Sequence, residues 1–229
     1  MKKYDNKFQK MLTKKHLLIL ALLAMPLITL AQSREVKTFQ LGFTASPNFG
    51  WLSFQSDDNT PNQKTDGLRP GFSYGLLGDF SFTDNYYFAT AVTISTINAN
   101  TTISDLSEYA YKLQYIEVPL TLKLKSNPKN GILYYGHFGL STAVNIAAKQ
   151  NYTNISSDID AADFKNKNIQ DDVNLLRVGL LFGGGAEWKL NQNLSLQTGL
   201  SYSNGFTDVL STDAKAKNSY IALNLGIFF

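Results

Sequence analysis

From Thr38 onward, apolar side chains fall on every second position, a period of two rather than 3.6. In the last segment Ile221, Leu223, Leu225, Ile227 and Phe229 alternate with Ala222, Asn224, Gly226 and Phe228. Leu194, Leu196, Thr198, Leu200 and Tyr202 alternate likewise with Ser195, Gln197, Gly199, Ser201 and Ser203. Between residues 70 and 82, Phe72, Tyr74, Leu76, Phe80 and Phe82 share one face, and Gly71, Ser73, Gly75, Leu77, Asp79 and Ser81 share the other. This alternation predicts eight β-strands, near 38–53, 69–82, 86–98, 109–125, 132–146, 173–190, 194–206 and 217–229.

The predicted connections alternate in length. Segments 83–85, 126–131 and 191–193 are short, whereas 54–68, 99–108, 147–172 and 207–216 are longer and rich in Asp, Asn, Ser, Thr and Lys. Short turns at one end and long loops at the other are the pattern of an outer-membrane barrel, whose tilted strands need ~9–11 residues to cross the bilayer. The Gly- and Ser-rich polar face suits a crowded lumen. The apolar face, with aromatic residues such as Tyr86, Trp188 and Phe229 near strand ends, suits lipid. The expected fold is therefore all-β: an eight-stranded antiparallel up-and-down transmembrane β-barrel spanning residues 32–229, in the cell outer membrane. Phe229, after alternating apolar residues, fits a C-terminal assembly signal for the barrel-assembly machinery.

The N-terminus reads differently. Residues 1–16 carry six lysines, and the uncharged run Leu17–Ala31 follows. Fifteen residues of helix span about 22 Å, short of a ~30 Å hydrocarbon core. Thr29-Leu30-Ala31 offers a small–x–small cleavage site, so residues 1–31 are expected to be a secretory signal peptide, starting at Met1 or Met11. Removing them takes away six of the 21 basic and one of the 18 acidic side chains, which turns a net charge of +3 into −2. No basic patch is left to suggest nucleic acid.

Candidate chemistry is sparse. With no cysteine there is no disulfide, no thiol nucleophile and no Cys-ligated zinc. His137 is the sole histidine after the signal, and parity places it in the lumen with Tyr135, Gly139 and Ser141. It lies near the short-turn end, so a hydrogen-bonded lumen histidine is the better reading, and no catalytic residue is expected. Gly183-Gly184-Gly185 continues into Ala186-Glu187-Trp188 as a strand, so it is no phosphate loop. Asp57-Asp58, Asp158, Asp160, Asp163 and Asp171-Asp172 match no calcium-loop spacing and read as solvated loop charges; no metal or cofactor is expected.

Parity also puts Asp79, Glu117, Lys123, Glu187 and Lys189 on the polar face. All but Glu117 lie two to four residues from a short turn, so Asp79 and Glu187 are expected to meet Lys123, Lys189 or both at one level and close that mouth. Glu117 sits higher, within reach of Arg177 or a tyrosine hydroxyl. Pro119 removes a ladder donor and should mark a bulge or a break in pairing.

The segment Tyr115-Ile116-Glu117-Val118-Pro119-Leu120 resembles the Tyr–aliphatic–Glu–aliphatic–Pro–aliphatic strand of the PorT-like outer-membrane β-barrel family. The Gly-rich hairpin around Gly75 and Gly78 and the terminal Phe229 resemble it too. The resemblance implies an eight-stranded barrel in a Gram-negative outer membrane, in a family where some members are linked to protein export. The expected role is structural, adhesive or export-accessory, not enzymatic, with the lumen filled by side chains. The expected partners are outer-membrane lipid and a surface or export partner at loop 147–172. The alternatives are a lipid-modifying enzyme, a narrow pore, or a soluble secreted barrel with an apolar ligand.

Overall fold

The computed structural model describes residues 39–54, 63–103, 106–155, 162–211 and 215–229, so the expected signal peptide lies outside it. Eight long strands carry the fold: β1 (Phe39–Phe54), β3 (Arg69–Thr83), β4 (Tyr86–Ile103), β5 (Ser107–Lys125), β6 (Ile132–Asn154), β8 (Leu176–Lys189), β9 (Ser195–Asp208) and β10 (Ala216–Phe228). Two short ones, β2 (Gln63–Thr65) and β7 (Phe164–Asn168), flank β4 and β6. Each long strand pairs antiparallel with the next, and β10 returns to β1, so the sheet closes into an all-β ring.

The ring is staggered. Following cross-strand partners from Gln40 leads through Asp79, Ala89, Thr121, Gly139, Leu181, Ser203 and Tyr220 back to β1 at Gly50, ten residues above the start. With ~3.3 Å per residue and ~4.8 Å between strands, a shear of ten over eight strands sets a tilt of about 41° and a radius of about 8 Å. That interior is just wide enough for side chains to fill.

The two faces separate by parity. Ile94, Ile116 and Val144 lie side by side on β4, β5 and β6 and point outward, as do Leu76, Leu140 and Leu223 on their own strands. Trp188 and Phe229 also face out at the short-turn end. β8 runs unbroken through Gly183-Gly184-Gly185. A Cβ on Gly185 would strike the Thr198 carbonyl, and one on Gly183 or Gly199 would strike His137 or Tyr135, so these glycines let two large rings lie against the wall.

At the long-loop end the polarity of the two faces reverses. Leu52, Ile97 and Leu113 are fully buried inside the ring, packed with Tyr111, Tyr115, Ala148 and Tyr220. Ile169, Val173, Val209 and Leu210 fold in from the connections and cap this layer. The outer face at the same height carries Asn98, Lys112 and Lys149 instead of apolar residues.

Two of the expected long loops are largely strand. β4 and β5 run on to Ile103 and from Ser107, so the expected 99–108 loop is a tight hairpin. β6 continues to Asn154 and β7 turns back along it, so 147–172 is in part a second hairpin. Where Gln114 faces Ala147 and Tyr115 faces Asn145, Ile146 is an extra residue in β6. The bulge shifts the inward set from Ala143 and Asn145 to Ala148 and Tyr152. It breaks the period of two, which is why the readable alternation ends at residue 146.

The outward apolar belt should reject charge. Leu223→Arg or Leu140→Arg is expected to cost about 2–4 kcal/mol near the bilayer midplane. Heat-modifiable gel migration after refolding into lipid vesicles should show a loss of the folded form for both.

Candidate functional site

The lumen is built in layers. At the short-turn end, inward positions of β3, β5 and β8 deliver Asp79, Lys123, Lys125 and Glu187, each at most 4% exposed. Lys123 Nζ lies 2.8 Å from Asp79 Oδ2 and 2.6 Å from Glu187 Oε1. Lys125 Nζ lies 2.9 Å from Asp79 Oδ2 and 2.9 Å from Glu187 Oε2. Each cation touches both anions and each anion both cations, so the quartet is a closed, neutral cycle. Gln197 Oε1 accepts from Lys123 at 2.8 Å, and Gln40 Oε1 accepts from Lys125 at 3.2 Å. The lysines also sit over aromatic faces: Lys123 over Tyr135 at 4.5 Å, Lys125 over Tyr87 at 4.3 Å, and both over Phe228. A dry, narrow site makes any unpaired charge costly, and this arrangement leaves none of the four unpaired.

Above the quartet lies a cavity of about 120 Å³ with a mixed lining, polar at Ser73, His137 and Ser201 and apolar at Leu77, Ala91 and Leu181. His137 packs edge-on against Tyr135, with ring centroids 5.9 Å apart, and its Nε2 makes no hydrogen bond among the described residues. A second charged layer follows. The Tyr220 hydroxyl donates to Glu117 Oε1 at 2.6 Å, and the Ser141 hydroxyl donates to the same oxygen. Arg177 Nη1 is 4.0 Å from Glu117, and Arg177 Nη2 donates to Ser203 Oγ at 2.9 Å and to the Asn218 carbonyl at 3.1 Å. Glu117 thus meets both Arg177 and a tyrosine hydroxyl. Tyr115, two residues up β5, is buried in the apolar layer opposite Asn145.

Pro119 marks a break rather than a bulge. The β4–β5 ladder skips from Thr90–Leu120 to Thr93–Glu117 without a change of register. The Thr90 hydroxyl donates to the Pro119 carbonyl at 2.8 Å, which bridges the gap from the β4 side.

One lumen residue read from the sequence is misplaced. Lys189 is exposed and makes no ion pair among the described residues. It is one inward step beyond Glu187 on β8, and the stagger of the ring carries that step past the mouth. Lys125 takes the place expected of Lys189. Its parity matches Lys123, so the sequence held the signal, but its position at the very strand end disguised it. Phe229 points outward, with its ring 5.6 Å from that of Phe43, and Phe228 is the aromatic residue that enters the lumen. Among the described residues no group of three or more His, Asp or Glu side chains converges to hold a metal.

The sequence profile described as an outer membrane protein beta-barrel domain matches residues 30–220. No curated protein matches the chain. Solved structures with a similar course include Neisserial surface protein A, at 12% identity and a TM-score of 0.46 over 85% of this chain and 98% of that one. Ail, the attachment invasion locus protein of Yersinia pestis, aligns at 14% identity and a TM-score of 0.41 over 83% and 97%. The outer membrane protein OprG from Pseudomonas aeruginosa aligns at 10% identity and a TM-score of 0.45 over 83% and 94%.

The quartet should be more sensitive to loss of one member than of two. Asp79→Asn alone leaves an excess buried cation, with an expected cost of about 3–5 kcal/mol. Asp79→Asn combined with Lys125→Met restores neutrality and should recover part of that loss. Urea unfolding in lipid vesicles measures both; a double variant less stable than the single would show that the charges act independently.

Proposed function

The chain belongs to the outer membrane protein beta-barrel domain family, and from that premise we propose that it is a closed, non-conducting barrel whose role is structural, adhesive or export-accessory. It lies in the cell outer membrane, with the short turns on the periplasmic side and the long hairpins outside. The observation that carries the reading is double closure of the lumen. The salt-bridged quartet fills the periplasmic half, and the apolar cluster around Leu52, Ile97 and Leu113 fills the extracellular half. A solute would have to break both.

What remains for function is the outside. The β4–β5 and β6–β7 hairpins stand above the apolar belt as a continuous sheet. Segment 147–172 is the natural docking place for a surface or export partner. The strand Tyr115-Ile116-Glu117-Val118-Pro119-Leu120 supports a finer placement among PorT-like barrels, because Glu117 and Pro119 each have a defined task in the wall. Phe229 is the expected signal to the barrel-assembly machinery, and residues 1–31 are the expected signal peptide. An enzymatic role is disfavoured. A general base needs a partner to orient it, and His137 Nε2 has no hydrogen-bond partner among the described residues, its ring lying edge-on to Tyr135 and its strand position opposite Lys123.

Planar-bilayer recording tests the closure. Wild-type protein is expected to give no conductance steps above the lipid baseline. Discrete steps in the wild type would overturn the closed-barrel reading in favour of a narrow pore.

A further inference from the structure

Lys112 on β5 and Lys149 on β6 are direct cross-strand partners, and both are exposed on the outer face. Like charges directly opposite each other destabilise a sheet. Among the described residues neither has an acidic partner, whereas every charge of the two lumen layers lies against an opposite one. Asn98 and Asn168 flank the pair on β4 and β7, so the row across the four strands reads Asn98, Lys112, Lys149, Asn168. The next row up is Asn100, Ala110 and Asn151. The small Ala110 leaves a hollow there.

That hollow is a cavity of about 320 Å³ on the outer wall, lined by Arg69, Asn98, Ala110, Lys112, Lys149 and Asn151 among others. Arg69 is steadied from the side by Glu108 at 3.3 Å. Three cations against one carboxylate leave a net positive basin whose polar rim is all amide.

Its height identifies the occupant. Lys112 is four residues above the outward-facing Ile116 and two above Gln114, whose partner Ala147 follows the exposed bulge residue Ile146. At a ~3.3 Å rise and a tilt of about 41°, two residues lift the chain about 5 Å. That puts the cations in the headgroup zone, ~5–7 Å deep, immediately over the hydrocarbon. Ile116, Ile146 and Phe72 directly below offer an apolar wall for acyl chains. The geometry points to a site for a phosphorylated glycolipid headgroup of the outer leaflet, with its phosphate between Lys112, Lys149 and Arg69 and its chains along the belt beneath. The anion supplies the counter-charge that the lysine pair lacks.

The test uses the full mature chain folded in an uncharged detergent, with diphosphoryl lipid A as the probe and native mass spectrometry as the readout. Wild-type protein should retain diphosphoryl lipid A at least about tenfold more than the same lipid stripped of phosphate, as expected for surface lysines and arginines near anionic headgroups. Lys112→Gln with Lys149→Gln should abolish that preference. Lys112→Glu is the second variant. It gives Lys149 an internal partner, so it should fold at least as well as wild type on a heat-modifiable gel and still lose the lipid. Equal retention of the two lipids by wild type, or unchanged retention by folded Lys112→Glu protein, would overturn the site. Displacement of lipid A by an equal concentration of inorganic phosphate would overturn it too, by reducing the basin to a simple anion site.

Discussion

Hydrocarbon offers no hydrogen-bond partner to a peptide group, and this single fact governs the molecule. Each N–H and C=O in the belt must be matched within the chain, and a sheet can do that only if it has no edge. The ladder between β1 and β10 removes the edge. Closure at eight strands then dictates a narrow bore, and the stagger of ten residues from Gln40 to Gly50 dictates which side chains share a level inside it. The charged quartet is a product of that stagger. Asp79, Lys123, Lys125 and Glu187 come from three strands, no two of them adjacent in the ring, and meet because the tilt brings them to one height.

The same wall works in two solvents. Below, apolar side chains face out and charges face in. Above, Lys112 and Lys149 face out while Leu113 and Ala148 face in. One extra residue at Ile146 lets β6 pass from one regime to the other while keeping its pairing with β5. The break at Pro119 is a smaller accommodation, absorbed by the Thr90 hydroxyl.

Much of this was legible in the residues. All eight long strands follow from a period of two, because each faces lipid or water on one side and a crowded interior on the other. Glu117 meeting Arg177 and a tyrosine followed from parity and height alone. Parity says which face a residue takes, but not how high that face stands in a sheared ring. That is why Lys189 was expected in the plug and Lys125 was not. The extracellular hairpins were hidden for a different reason. Their strands are polar outside and short, and the bulge at Ile146 erases the alternation where it would have announced them. The lysine row on the outer wall depends on register between strands 37 residues apart at Lys112 and Lys149, which no local pattern reports.

The quartet also bears on how such a barrel enters a membrane. Lys123 reaches back 44 residues to Asp79, and Lys125 reaches forward 62 to Glu187. An insertion intermediate holding β3 to β6 without β8 would carry two lysines against one aspartate, and one lacking β3 would strand the lysines with Glu187 alone. Each half-built form has an uncompensated charge in a dry interior, whereas the complete ring has none. Neutrality is therefore a property of β3, β5 and β8 together and of no two of them. It couples the insertion of β3, β5 and β8, because a partial barrel that lacks β3 or β8 is penalised until both are in place.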